Sequence, residues 1–226
     1  MNAVELFSST RDRGSTPPHD LREVGNRTIV GVLAFAKQPE RKIFEGLALD
    51  EMSEKGQAQC GMIRSALRTI NAKQVTGYSS TSRRANDALR LILTDRPQAQ
   101  FKTNPSLEPL VKRADTLEFE LARKLQIDQI TGLIKQHIKD ARRLSAATRM
   151  LCVHITHSHI VEKLLASLIL GDGQSTAEDL IGDNLAPGTL WQLQIFKGGN
   201  DLLEVEVSLG GRTLRARPNL LPSLLS

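Results

Sequence analysis

Residues 154–165 read HITHSHIVEKLL, placing three histidines within six positions. Imidazole can ligate a metal, carry a proton near neutral pH or act as a nucleophile, and the local element decides among these. The preceding MLCV is apolar and β-prone, while IVEKLLASLIL is amphipathic, so a strand over 150–156 turns directly into a helix. Side chains alternate along a strand, so His154 and His157 face apart and His159 falls in the first helical turn. Zinc ligands drawn from one element share a face, and no Cys or carboxylate cluster completes this set, so no metal is expected. His154 therefore reads as strand packing. His157 stands at the carboxyl end of a strand beside the positive end of a helix, where open α/β sheets collect anions.

A second junction of this kind is GYSSTSRRA, residues 77–85. Ser79, Ser80 and Arg84 bring hydroxyls, helix-start N–H groups and a planar guanidinium, which together can hold a phosphate. Lys37 follows the first apolar run, and Glu108 lies in the turn SLEPL. His19 sits in a proline-rich stretch, and His137 lies among polar neighbours of a long helix, where a surface position is expected.

The elements that must position these residues follow from periodicity. Residues 1–27 are polar and carry Pro17-Pro18, which predicts a loosely ordered arm ahead of a single domain over 28–226. TIVGVLAFA, residues 28–36, suits a strand buried on both faces. A loop with Pro39 leads to a helix capped by Ser53, with Ile63, Ala66, Leu67 and Ile70 as its apolar positions. KQVTGYSS predicts a strand and SRRANDALRLIL a helix that ends before Pro97. An edge strand and turn follow, then a helical pattern over 111–145 carrying Leu121, Leu125, Ile130 and Ile134, with Gly132 as the point where it would break. The chain closes with two β-patterned stretches and a turn at Gly210-Gly211. Strands alternating with helices imply an α/β fold: a three-layer α/β/α sandwich with a mostly parallel central sheet and an antiparallel C-terminal edge hairpin.

Composition narrows the classes of partner. The 226 residues are 40% hydrophobic and 24% charged, which is ordinary for a globular chain with a core. Cys60 and Cys152 both lie in apolar periodic stretches, as buried thiols do, which points to a reducing, cytoplasmic setting. No apolar run reaches the roughly 20 residues that span a bilayer, and the first 20 residues lack the apolar core of an export signal. A net charge of +5 is compatible with an anionic ligand, but only 4% of residues are aromatic and none interleave with basic positions, which disfavours nucleic acid.

The order of the segments resembles the histidine phosphatase superfamily, the phosphoglycerate-mutase-like proteins. DEMSEKGQAQCGMIRSAL is similar to that family's Ser/Thr-Glu-x-Gly stretch leading into a helix. VTGYSSTSRRANDAL is similar to its strand ending in Ser-Ser-Pro followed by Arg-Ala and a helix, with Thr81 in place of proline. LCVHITHSHIVEKLLASL is similar to its late strand ending in His-Gly, with Ser158 in place of glycine. The likeness covers most of residues 28–217.

The resemblance implies a mechanism in which an Arg-His-Gly histidine attacks phosphorus. Two arginines and a second histidine hold the transferring oxygens, and a carboxylate protonates the leaving group. On this basis Arg84 matches the second arginine and His157 the second histidine, with Ser80, Lys37 and His159 lining the pocket and Glu108 the acid. Where Arg-His-Gly should stand, the chain reads Phe35-Ala36-Lys37. The expectation is a phosphatase-fold protein without phosphohistidine catalysis that binds phosphate, a phosphorylated small molecule or a phosphoprotein, needing no cofactor. A protein partner or homodimer is compatible with this. The alternatives are a phosphomonoesterase with a non-standard nucleophile or an activated water, using His157 and Arg84, and an interaction scaffold with a vestigial pocket.

Overall fold

The structure is a computed structural model that describes residues 27–108, 117–157, 164–166, 168, 185–198, 202–209 and 212–214. The N-terminal arm, His159 and the Gly210-Gly211 turn lie outside the described residues.

Strand β1 (Thr28–Lys37) is apolar along its length and buried on both faces, so it occupies the middle of a sheet. Strands β4 (Gln74–Ser79), β5 (Gln100–Thr103) and β6 (Met150–Thr156) run parallel to it, and β7 (Leu190–Lys197), β8 (Leu203–Leu209) and β9 (Arg212–Leu214) extend the other side. The resulting seven-stranded sheet has the order β5-β4-β6-β1-β7-β8-β9. Its parallel part is β5-β4-β6-β1; β7 is antiparallel to β1, β8 to β7 and β9 to β8.

Helices cover both faces. On one side α1 (Glu54–Arg68) and α2 (Arg83–Ile92) pack Cys60, Ile63, Leu67, Ala88 and Leu89 against Val32, Ala34, Ala36, Val153 and Ile155. On the other, α3 (Leu117–Ala141) and the helical residues 164–166 and 168 pack Ile130, Ile134, Ile138, Leu164 and Leu165 against Leu33, Phe35, Cys152 and Trp191. The three-layer α/β/α arrangement follows from this division.

Three expectations need correction. Residues expected as loop form a hairpin, β2 (Arg41–Phe44) and β3 (Leu47–Met52), closed by Glu45 at φ 48 and Gly46 at φ 79. Both central residues take the left-handed conformation that a tight two-residue hairpin turn requires. Helix α3 runs unbroken through Gly132, while Leu121 and Leu125, expected on its apolar side, are exposed. His137, expected at the surface, is 6% exposed on the α3 stripe of Ile130, Ile134, Ile138 and Ala141.

Helix α1 starts where the sequence places it, with the Ser53 hydroxyl accepting from the Gly56 N–H at 3.0 Å. A Cβ at Gly56 would lie 2.3 Å from the Glu40 carbonyl oxygen, so only glycine lets the helix pass that close to the segment leaving β1. Among the described residues no helix is long and apolar enough to cross a membrane.

Candidate functional site

The carboxyl ends of β4, β6 and β1 are neighbours in the sheet, and three of the expected residues lie there. Ser80 follows β4, His157 follows β6, and Lys37 ends β1 as the register partner of Thr156. Gln38 continues the join, its N–H donating to the Thr156 carbonyl at 2.8 Å. Arg84 sits in the first turn of α2.

The loop from β4 to α2 is fixed by Asn86. Ser79 Oγ donates to Asn86 Oδ1 at 2.9 Å, and Asn86 Nδ2 donates to the carbonyls of Ser80 and Ser82 at 3.0 Å each. The α2 N-terminus, read from sequence as a phosphate cradle, already holds an anion of the chain. Asp50, on β3, accepts from Ser82 Oγ at 2.7 Å, from the Arg83 N–H at 2.8 Å and from the Arg84 N–H at 3.4 Å. Burial pushes the Asp50 carboxyl up, and these hydrogen bonds more than reverse it, leaving the group below the usual carboxylate range. The sequence reading missed Asp50 because it arrives from the unrecognised hairpin.

Arg84 therefore offers its side chain, not its helix amide. Its Nη2 donates to Gln38 Oε1 at 2.6 Å, and Gln38 Nε2 donates to Ser82 Oγ at 3.0 Å. Burial lowers the Arg84 pKa, with nearby Arg41 acting in the same direction and Asp50 opposing. Arg84 Nε, Ser80 Oγ and Thr156 Oγ1 are buried without a hydrogen-bond partner among the described residues. Lys37 Nζ donates to the carbonyl of Leu185.

Glu108 lies at the rim. Its carboxylate accepts from the Thr81 N–H at 2.5 Å, and its carbonyl accepts from Gln126 Nε2 at 2.5 Å. The first bond exists because residue 81 is not proline, which has no N–H to give.

The other described histidines are placed away from this edge. Tyr78, His154, Phe35 and Trp191 are register partners on β4, β6, β1 and β7, and their rings form one continuous stack. Successive centroids are 4.8, 4.4 and 4.3 Å apart, with planes within 11° of parallel. His137 closes the stack from α3, tilted against Tyr78 and His154, with Nδ1 3.7 Å from Cys152 Sγ. Burial pushes Cys152 up to about 12 and holds His137 down to about 4 and His154 to about 3. Among the described residues no three His, Cys, Asp or Glu side chains converge to hold a metal ion.

Solved structures share this architecture. A mycobacterial glucosyl-3-phosphoglycerate phosphatase matches at TM-score 0.51 and 16% identity, over 82% of this chain and 95% of that one. YhfR of Bacillus stearothermophilus matches at TM-score 0.52 and 14% identity, over 80% and 96%. A protein named mycobacterial hydrolase 2 matches at TM-score 0.52 and 15% identity, over 88% and 96%. The chain thus shares the α/β fold of these solved structures, with its mostly parallel sheet and antiparallel edge. No family's sequence profile and no curated protein's sequence matches it.

Proposed function

We propose that the chain is a histidine-phosphatase-fold protein that binds a phosphorylated ligand or phosphorylated protein partner without phosphohistidine catalysis. The binding site is the carboxyl edge of β4, β6 and β1, lined by Ser80, Arg84, Thr156, His157 and Lys37. The observation that carries this reading is the end of β1. Where the resemblance calls for arginine and histidine, Phe35 and Ala36 are both 0% exposed, the ring locked in the aromatic stack and the methyl in the α1/α2 layer. A methyl group has no lone pair to offer phosphorus. His154 and His137 are equally shut away, so neither replaces the nucleophile.

Binding is supported by the orphaned polar atoms. A buried donor left unpaired costs about 1–3 kcal/mol, and a phosphoryl oxygen would satisfy Arg84 Nε, the donor of this edge best suited to an anion. The test is hydrolysis of an aryl phosphate across pH 5–8 beside His157→Ala, with melting followed against inorganic phosphate. The expected result is no turnover above the variant and a melting temperature that rises with phosphate, by the equivalent of about 2.7 kcal/mol at a hundredfold excess over Kd. Turnover that vanishes in His157→Ala would replace this reading with an active phosphomonoesterase. Absence of both turnover and stabilisation would leave an interaction scaffold.

A further inference from the structure

Gln38 is 6% exposed and its amide is held at both ends, by Arg84 Nη2 at 2.6 Å and by Ser82 Oγ at 3.0 Å. Ser82 is held in turn by Asp50, so the amide has one orientation. An arginine presents Nε and Nη2 as a two-pronged edge that a phosphate or carboxylate fills with two parallel hydrogen bonds. Here one prong meets a single neutral amide oxygen, while Arg84 Nε is buried with no partner. The edge is half filled. Ser80 Oγ, 0% exposed and also without a partner, is a second buried donor at the same end of β4.

We propose that Gln38 is the internal occupant of the anion site, its Oε1 standing where an anion oxygen binds and being displaced when a phosphoryl group enters. The inference rests on the phosphate-binding reading and adds what limits its affinity. The amide satisfies the guanidinium directionally without neutralising it, so the charge remains available to an entering dianion. A phosphoryl oxygen makes the stronger, charge-assisted form of the same bond and gains the bond to Nε. The backbone N–H of Gln38 stays on the Thr156 carbonyl, so the exchange needs only a side-chain rotation.

The experiment is titration calorimetry of the full chain with inorganic phosphate, comparing wild type with Gln38→Ala, Gln38→Met, Gln38→Glu and Arg84→Ala. Methionine keeps the length and bulk of the side chain without its amide, and melting curves check that each variant folds. The expected result is that Gln38→Ala and Gln38→Met bind phosphate about tenfold more tightly, the size of one competing charge-assisted hydrogen bond. Gln38→Glu and Arg84→Ala should lose binding, the first because its carboxylate fills the Arg84 edge. Unchanged or weaker binding by folded Gln38→Ala and Gln38→Met, with Arg84→Ala still losing it, would overturn the proposal and make Gln38 a positioning residue in a sound phosphate site. No phosphate binding by any of these proteins would overturn it together with the phosphate-binding reading.

Discussion

His154 lies face to face with Phe35, their ring centroids 4.4 Å apart and their planes 11° from parallel. The pair are register partners on β6 and β1, at the centre of the sheet. An imidazole belongs in such a stack only while it is neutral. Burial, with the neighbouring His137, holds His154 to about 3, and burial holds His137 to about 4, against an ordinary value of 6.5. Asp140 and Lys102 also act on His137, in opposite directions.

The sign of the resulting pH dependence follows from which state takes up protons first. Below about pH 6.5 the unfolded chain binds protons that the folded chain refuses. Stability from these two groups is thus full above pH 6.5 and is lost as pH falls toward their folded values near 4 and 3. At pH 5 the loss is on the order of 2 kcal/mol per histidine. Denaturant midpoints at pH 7 and pH 5 measure it. His154→Phe, which keeps the stack and removes one titrating group, should roughly halve the difference.

Gly56→Ala should destabilise the protein by about 3 kcal/mol. The added methyl meets the Glu40 carbonyl oxygen at 2.3 Å, and backbone on both sides leaves little room to yield. Urea unfolding of the variant checks this. Gly61→Ala, at a site with nothing within 4 Å of the new carbon, is the control and should stabilise slightly.

Restoring histidine at the end of β1 should not restore chemistry. Ala36 is 0% exposed and packed in the layer beneath α1 and α2, so Ala36→His forces a polar ring into filled space. The expected outcome is a loss of about 2–3 kcal/mol in stability with no gain in aryl phosphate hydrolysis. Measured turnover in that variant would show that the phosphohistidine geometry survives.

Much of the scaffold was legible in the chain because it depends on local signals. The unbroken apolar runs of β1 and β6, the Ser53 cap and the strand-to-helix junction at Ser80 state their roles within a few residues. His137 was misread by its polar neighbours Gln136, Lys139 and Asp140, although its 3.6-residue spacing from Ile130, Ile134 and Ala141 puts it on the buried stripe. The β2–β3 hairpin escaped because its turn is Glu45-Gly46, not the Asn-Gly or Asp-Gly that signals such a turn. The contacts that define the candidate site were out of reach for a different reason. Arg84 meets Gln38 across 46 positions and Ser82 meets Asp50 across 32, and no local pattern records either pair.

The central place of β1 also governs when the molecule can be completed. It ends at Lys37, yet the strands that flank it, β6 and β7, begin at Met150 and Leu190. During synthesis this apolar strand therefore waits, with both edges open, until β6 and β7 have left the ribosome. Such long-range pairing folds slowly and exposes strand edges to other chains in the meantime. The sheet can thus close around β1 only after β7 has been made.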